Sequence, residues 1–215
     1  DKMDEYILSF LSLKATKSGL NRIVSLKSDF GHININGQYN YASILQSLTN
    51  IINSKLPTFP GIPKVKNTIH NDFSFDAVIE KSDWLQHIFD IPIDLKRPFL
   101  LKGNVDDHSR KINMTLNMPK FEYAEKTYDQ GYIRLDSPND TLQAFFHLRQ
   151  YGEKQIGTYW NIKAQAAHNK LYALLSFENN GKHGFAGLFN TETQFYKNKY
   201  GHDAARLRIL PSEIT

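Results

Sequence analysis

Lys111-Ile112-Asn113-Met114-Thr115-Leu116-Asn117-Met118 is the stretch that decides the fold. Apolar and polar side chains alternate there with a period of two. Ile112, Met114, Leu116 and Met118 therefore share one face of an extended strand, and the polar residues take the other. The alternation returns at Leu142, Ala144, Phe146 and Leu148, at Trp160, Ile162, Ala164 and Ala166, and at Leu171, Ala173, Leu175 and Phe177. Phe99, Leu101, Gly103 and Val105 open the series. Turn-forming residues separate the sets: Asp106 to Ser109, Pro138-Asn139-Asp140, His168-Asn169-Lys170 and Asn179-Asn180-Gly181. Connections this short join antiparallel neighbours, so the pattern predicts a meander rather than βαβ units. No strict sequence repeat accompanies it, unlike the blades of a propeller, and nothing in it forces the sheet to close.

The first half of the chain is more mixed. Tyr6 to Ala15 and Arg22 to Phe30 are strand candidates joined by Lys17-Ser18-Gly19-Leu20, a hairpin-sized loop containing Gly. A third strand with Ile33 and Ile35 runs through Asn36-Gly37, which signals a turn or a bulge. Ile44, Leu45, Leu48, Ile51, Ile52 and Leu56 then fall at helical spacing, predicting an amphipathic helix over 42–55 ended by Pro57. Its stripe either caps the end of the sheet or sits in or beside a groove as a plug or lid. Pro57, Pro60, Gly61 and Pro63 make the 57–71 segment an extended connector and a subdomain seam within one continuous β-rich chain, 1–215. Phe73, Phe75, Ala77 and Ile79 alternate as a strand. Ser82 or Asp83 caps a short helix over 83–90 carrying Trp84, Leu85, Ile88 and Phe89. The expected fold is mainly β: an elongated, curved antiparallel sheet, a taco-like or gutter-like meander, with two short amphipathic helices.

Composition narrows the function. Hydrophobic residues at 40% and aromatics at 13% supply ample core material and exclude a disordered chain. The net charge of +4 is spread out, with pairs such as Lys64 and Lys66 or Lys197 and Lys199 as its densest points. Readers of nucleic acid concentrate their charge on one helix or stripe, so no nucleic-acid partner is expected, whereas weak attraction to acidic lipid headgroups fits. With no cysteine, disulfides, thiolate metal sites and cysteine nucleophiles are excluded. The chain opens at Asp1 without Met, and the apolar stretch from Tyr6 to Leu13 is too short and polar for a signal or a span. It reads as a piece of a longer protein.

Catalytic chemistry finds no foothold. The eight histidines show no metal-ligand spacing, and no metal or cofactor is expected. Asp106-Asp107-His108 is the nearest approach to an acid/base trio, yet it occupies a turn where Asp belongs for backbone reasons. Asp94, Asp136 and Asp140 fall at strand ends, Ser109 has no nucleophile-elbow context, and no glycine-rich phosphate loop occurs. The expectation is a protein that is not an enzyme.

Certain phrases resemble a known family. Leu26-Lys27-Ser28-Asp29-Phe30, Asn36-Gly37-Gln38-Tyr39, the helix ending in Leu56-Pro57, Phe99 to Asp107, Phe121-Glu122-Tyr123 and Ile209 to Ile214 follow one another as in the periplasmic portion of TamB-like proteins of the AsmA superfamily. The resemblance implies a segment of an inner-membrane-anchored, periplasm-spanning bridge. Its apolar groove would conduct phospholipids toward the outer membrane, with a role in outer-membrane assembly through a barrel protein reached by regions outside this chain. It also implies a periplasmic location.

Alternation then assigns the lining of the apolar side: Phe99, Leu101, Ile112, Met114, Leu116, Leu142, Ala144, Phe146, Trp160, Ile162, Leu171, Leu175 and Phe177. A register slip of one residue moves a whole strand to the other face, so these stand or fall as sets. The rival expectation is a closed β-sandwich, a binding module or adhesin that recognises glycan or protein through Tyr128, Tyr132, Tyr159 or Tyr172.

Overall fold

The computed structural model describes residues 7–62, 70–152, 156–181 and 184–215. Three strands come first, β1 (Leu11–Ser18), β2 (Asn21–Ser28) and β3 (Gly31–Gln38), followed by helix α1 (Ile44–Lys55) and β4 (Asp72–Ile79). Helix α2 (Asp83–Phe89) and the short β5 (Ile93–Leu95) lead into β6 (Phe99–Asp106), β7 (Lys111–Tyr123) and β8 (Lys126–Asp136). The chain continues through β9 (Leu142–Tyr151), β10 (Gly157–Ala167), β11 (Lys170–Asn179), β12 (Ala186–Lys197), β13 (Asp203–Ile209) and β14 (Glu213–Ile214).

All fourteen described strands belong to one antiparallel sheet. Its order is β1-β2-β3-β4-β6-β7-β8-β9-β10-β11-β12-β13, with β5 beside β7 and β14 beside β12. The meander is therefore nearly unbroken. β1 and β13 do not pair, so the sheet stays open with two free edges. The closed sandwich of the rival expectation has no second sheet among the described residues.

Asn36-Gly37 lies inside β3 and makes no turn. Gly37 takes φ 149°, and a Cβ there would come within 2.2 Å of the Asp72 carbonyl oxygen, so only Gly lets β4 approach. The two-residue turns Ala124-Glu125 and His168-Asn169 have left-handed φ at both positions, the geometry that matches strand twist. Ser82 sits at the start of α2 without making a side-chain cap; its hydroxyl accepts from the Leu95 N–H instead, tying β5 to the helix. Of the expected features, Pro63 and the rest of 63–69 in the connector, Lys64 and Lys66 with them, and Tyr6 and His183 lie outside the described residues.

The tightest packing is where α1 meets the strands. Ile51, Leu56 and Tyr39 form one cluster with Phe73, Val105, Ile112, Leu142, Ala166 and Phe195. The N-terminal half of α1 touches Asn71 and Asp107, while its last residue meets Asp140 and Asn169. These partners sit at successive turns on one side of the sheet. The helix thus runs along the strand ends, in the direction in which the strands stack.

Candidate apolar trough

Register carries one residue of each strand into line with the next. Leu13 faces Leu26, Leu26 faces Ile33, Ile33 faces Ala77, Ala77 faces Leu101 and Leu101 faces Leu116. The same file continues from Leu116 to Ile133, then Phe146, Ile162, Leu175 and Phe189. Eleven strands contribute eleven apolar side chains in sequence. Ten inter-strand steps of about 4.8 Å give the file a length of about 48 Å.

Parallel files flank it on the same face. Toward α1 runs Ala15, Val24, Ile35, Phe75, Gly103, Met114, Leu135, Ala144, Ala164 and Ala173. Beyond it Val105, Ile112, Leu142 and Ala166 lie beneath the helix, with Val105 at 0% and Ile112 at 3% exposure. On the other side Phe99 leads a file holding Met118, Leu148, Trp160 and Phe177, with Trp160 5.4 Å from Phe177 between ring centres. The opposite face of the sheet is polar, as in the ladder of Ser25, Asn34 and Asp76, joined by hydrogen bonds of 2.8 and 2.9 Å.

All thirteen side chains assigned by alternation fall on this one face. Leu101, Leu116, Phe146, Ile162 and Leu175 sit in the central file, Met114 and Ala144 in the next. Ile112, Leu142 and Leu171 pack against the α1 cluster, and Phe99 is covered by Phe121, so these four act as wall and foundation. Phe99, Trp160 and Phe177 belong to the far file. Apart from Ala77, which is 6% exposed, the central side chains remain partly open: Ile33 is 37% and Ile162 38% exposed, and Leu13 at the free edge 68%.

Simple alternation did not reveal everything on this face. Val24, Leu26, Ile33, Ile35, Phe73 and Phe75 extend it across β2 to β4, where the period of two was visible but no lining was assigned. Ile133 and Leu135 in β8 also belong, and Tyr132-Ile133-Arg134-Leu135 alternates plainly. Phe121 and Tyr128 were hidden by a bulge. The β8–β9 register shifts by one residue between Asp129 and Tyr132, where Gln130 takes φ 52°. Beyond the shift Tyr128 faces Gln150 and so returns to the trough side. There it stacks on Phe121 at 5.1 Å and 13°, and Phe121 stands edge-on to Phe99 at 5.3 Å. Tyr128 therefore packs in an aromatic stack on this face and is half-buried there. Of the other rival tyrosines, Tyr132 and Tyr159 are half-buried on the polar face, and Tyr172 there is 42% exposed.

Helix α1 covers one margin of the apolar face, along one set of strand ends. Asn71, fully buried, donates to the Ser47 hydroxyl at 2.7 Å and to Ser43, and its carbonyl oxygen accepts from the Asn40 N–H at 2.8 Å. Ser47 in turn donates to Asp107, which also accepts from Asn50. Lys55 buries its stem and pairs with Asp140, whose carboxyl that ammonium holds below its usual range. A wall fixed by satisfied polar contacts has one docking geometry rather than many.

Of the Asp106-Asp107-His108 trio, Asp106 accepts from Ser109 and Asp107 from Ser47 and Asn50 of α1. The His70 and His108 rings meet at 4.9 Å, but no group of three His, Asp or Glu side chains that could hold a metal occurs among the described residues. Nor, among those residues, is any helix long and apolar enough to cross a membrane. No known protein family, curated protein or solved structure matches the chain.

Proposed function

We propose that the trough carries lipid acyl chains and that this chain serves as a segment of a phospholipid conduit between inner and outer membrane, across the periplasm. The observation that carries this reading is the central file from Leu13 to Phe189, apolar at every one of its positions and partly open to solvent. An acyl chain of about fifteen methylenes costs roughly 12 kcal/mol to move from bilayer to water, at about 0.8 kcal/mol per methylene. A stripe as apolar as the bilayer removes most of that barrier without holding the lipid fast. Because a single leaflet of hydrocarbon is about 15 Å deep, a file of about 48 Å exceeds one acyl chain roughly threefold. A binding pocket would need only one such length and would be closed at its ends. Here the file runs out to the unpaired edge strand β1, where Leu13 is 68% exposed, and reaches Phe189 on β12; on the far edge strand β13 Leu207 and Ile209, opposite Thr193 and Thr191, are 63% and 71% exposed. Contact with an outer-membrane assembly barrel, if made through other regions, would complete the route.

Photo-crosslinking tests it. A photoreactive residue replacing Ile162 or Leu175 in cells is expected to capture lipid, and one replacing Lys163 or Leu174 on the opposite face is not. Equal capture from both faces, or none from the trough, rejects conduction. Capture of glycan or protein from Tyr159 or Tyr172, with no lipid in the trough, would support the recognition module instead.

A further inference from the structure

Within β1 to β4 the trough face holds two charged side chains, and they stand directly opposite each other. Lys17 faces Arg22 across the β1–β2 ladder, one step beyond the Ala15–Val24 pair and two beyond Leu13–Leu26. Like charges in facing positions are destabilising in a sheet. Among the described residues neither cation has an ion-pair partner; Arg22 instead lies over the Tyr41 ring at 5.1 Å. Elsewhere on this side of the sheet the same situation is neutralised, because Lys197 pairs with Asp203 at 2.7 Å. Next to Arg22, Gly37 leaves the floor without a side chain. Tyr41, whose ring lies under the guanidinium, is 54% exposed. The arrangement is two uncompensated cations and a phenol bordering the end of an apolar stripe.

We propose that Lys17 and Arg22 form a headgroup site for a phospholipid of net negative charge, whose acyl chain lies in the central file. This deepens the lipid reading and rests on it. An anionic oxygen between the two cations relieves their repulsion and gains charge-assisted hydrogen bonds, with the guanidinium able to bind a phosphate through two N–H groups. A zwitterionic headgroup brings its own cation to the same place and forfeits most of that gain.

The test compares two fluorescent phospholipids with identical acyl chains, one with a phosphatidylglycerol and one with a phosphatidylcholine headgroup, bound by the purified protein. The expected preference for the anionic lipid is about tenfold, falling as salt rises. In the Lys17→Gln/Arg22→Gln variant the ratio is expected to fall to about one, while Lys17→Arg/Arg22→Lys retains it. Circular dichroism and melting temperature establish that each variant is folded. Equal binding of the two lipids by the unaltered protein, or an unchanged ratio in the glutamine variant, overturns the site and leaves the trough standing. Binding of neither lipid overturns both. Complete displacement of the anionic lipid by inorganic phosphate at equimolar concentration would show a site for a free anion and so overturn the lipid assignment.

Discussion

Phe177 lies flat across Gly187: a Cβ on Gly187 would stand 2.3 Å from the Phe177 Cζ. The two residues are direct cross-strand partners. The pairing recurs, with Phe75 over Gly103 and Met118 over Gly131, where added Cβ atoms would come within 2.8 Å of the opposing side chain. A missing side chain on one strand gives the neighbour's large one a place to lie along the sheet instead of standing upright. These pairs keep the floor low, and a trough needs a low floor more than a packed core does. Gly187→Ala is therefore expected to turn the Phe177 ring into the channel, costing about 1–3 kcal/mol in overpacking and reducing uptake of a fluorescent phospholipid. Adding Phe177→Leu is expected to restore both, giving a coupling energy of at least about 1 kcal/mol in a double-mutant cycle. Additive effects would show that the ring has room elsewhere.

Asn71 is the centre of the α1 attachment. Its side chain bonds Ser43 and Ser47, both buried, and the half-buried Asn40 N–H. Replacing it by Ala leaves the Asn40 N–H without its acceptor and takes a buried donor from Ser43 and Ser47, which keep their bonds to Asn40 and Asp107, at a cost of about 2 kcal/mol, or a drop in Tm of roughly 4–8 °C for a chain of this size. Asn36→Ala, on the exposed polar face, is expected to shift Tm by less than about 2 °C. Calorimetry of the two variants distinguishes a buried anchor from general sensitivity to lost amides.

What the sequence made legible followed from chemistry with a local signature. The period of two at Ile112 to Met118 and at Trp160 to Ala166 announced both strand and face, because one side meets hydrocarbon and the other water. Asn139-Asp140 and His168-Asn169 announced turns because those side chains tolerate left-handed φ. Ala124-Glu125 adopts the same backbone without a residue that favours it, so the β7–β8 hairpin carried no turn signal and β8 passed unrecognised. The bulge at Gln130 likewise arises from a register shift with β9, a long-range fact that alternation cannot encode. β1 begins at Leu11 and not at Tyr6, since pairing with β2 sets its limits and hydrophobicity does not. The one-sided wall of α1 was open between cap and lid because helical spacing shows an apolar stripe without showing what it covers.

Acid should weaken the polar face in a defined window. Burial works against the Asp129 charge, but hydrogen bonds from Arg149 and Tyr151, with the Arg149 charge, outweigh it and hold the carboxyl below its usual range. Arg149 Nε donates to Asp129 at 2.6 Å and Tyr151 at 2.8 Å, while the guanidinium lies 4.8 Å from the Tyr151 ring centre and 5.7 Å from that of Tyr159. A folded-state pKa below the unfolded value of about 3.9 contributes stability that is complete well above that value. It is lost as pH falls through the unfolded and then the folded pKa. The Tm difference between the unaltered protein and Asp129→Asn is thus expected to be constant from about pH 7 to pH 5 and to shrink below about pH 4. A difference that widens on acidification would contradict the assigned direction.

Leu116 and Thr115 are adjacent in β7 and point to opposite faces, which makes them a matched pair for asking what the trough does. Leu116 is in the middle of the central file, between Leu101 and Ile133. An arginine there places a charge on the acyl path. A charge in hydrocarbon costs about 2.5–3.5 kcal/mol on insertion scales, which converts to a loss of uptake on the order of 100-fold. The same substitution at Thr115, between Lys102 and Arg134 on the polar face, adds a cation to an already basic file and leaves the floor untouched. Leu116→Arg is accordingly expected to abolish phospholipid uptake while Thr115→Arg retains it within about threefold, a difference of about 0.6 kcal/mol. If both variants lose uptake equally, the effect comes through the fold; if neither does, hydrocarbon does not travel along this file.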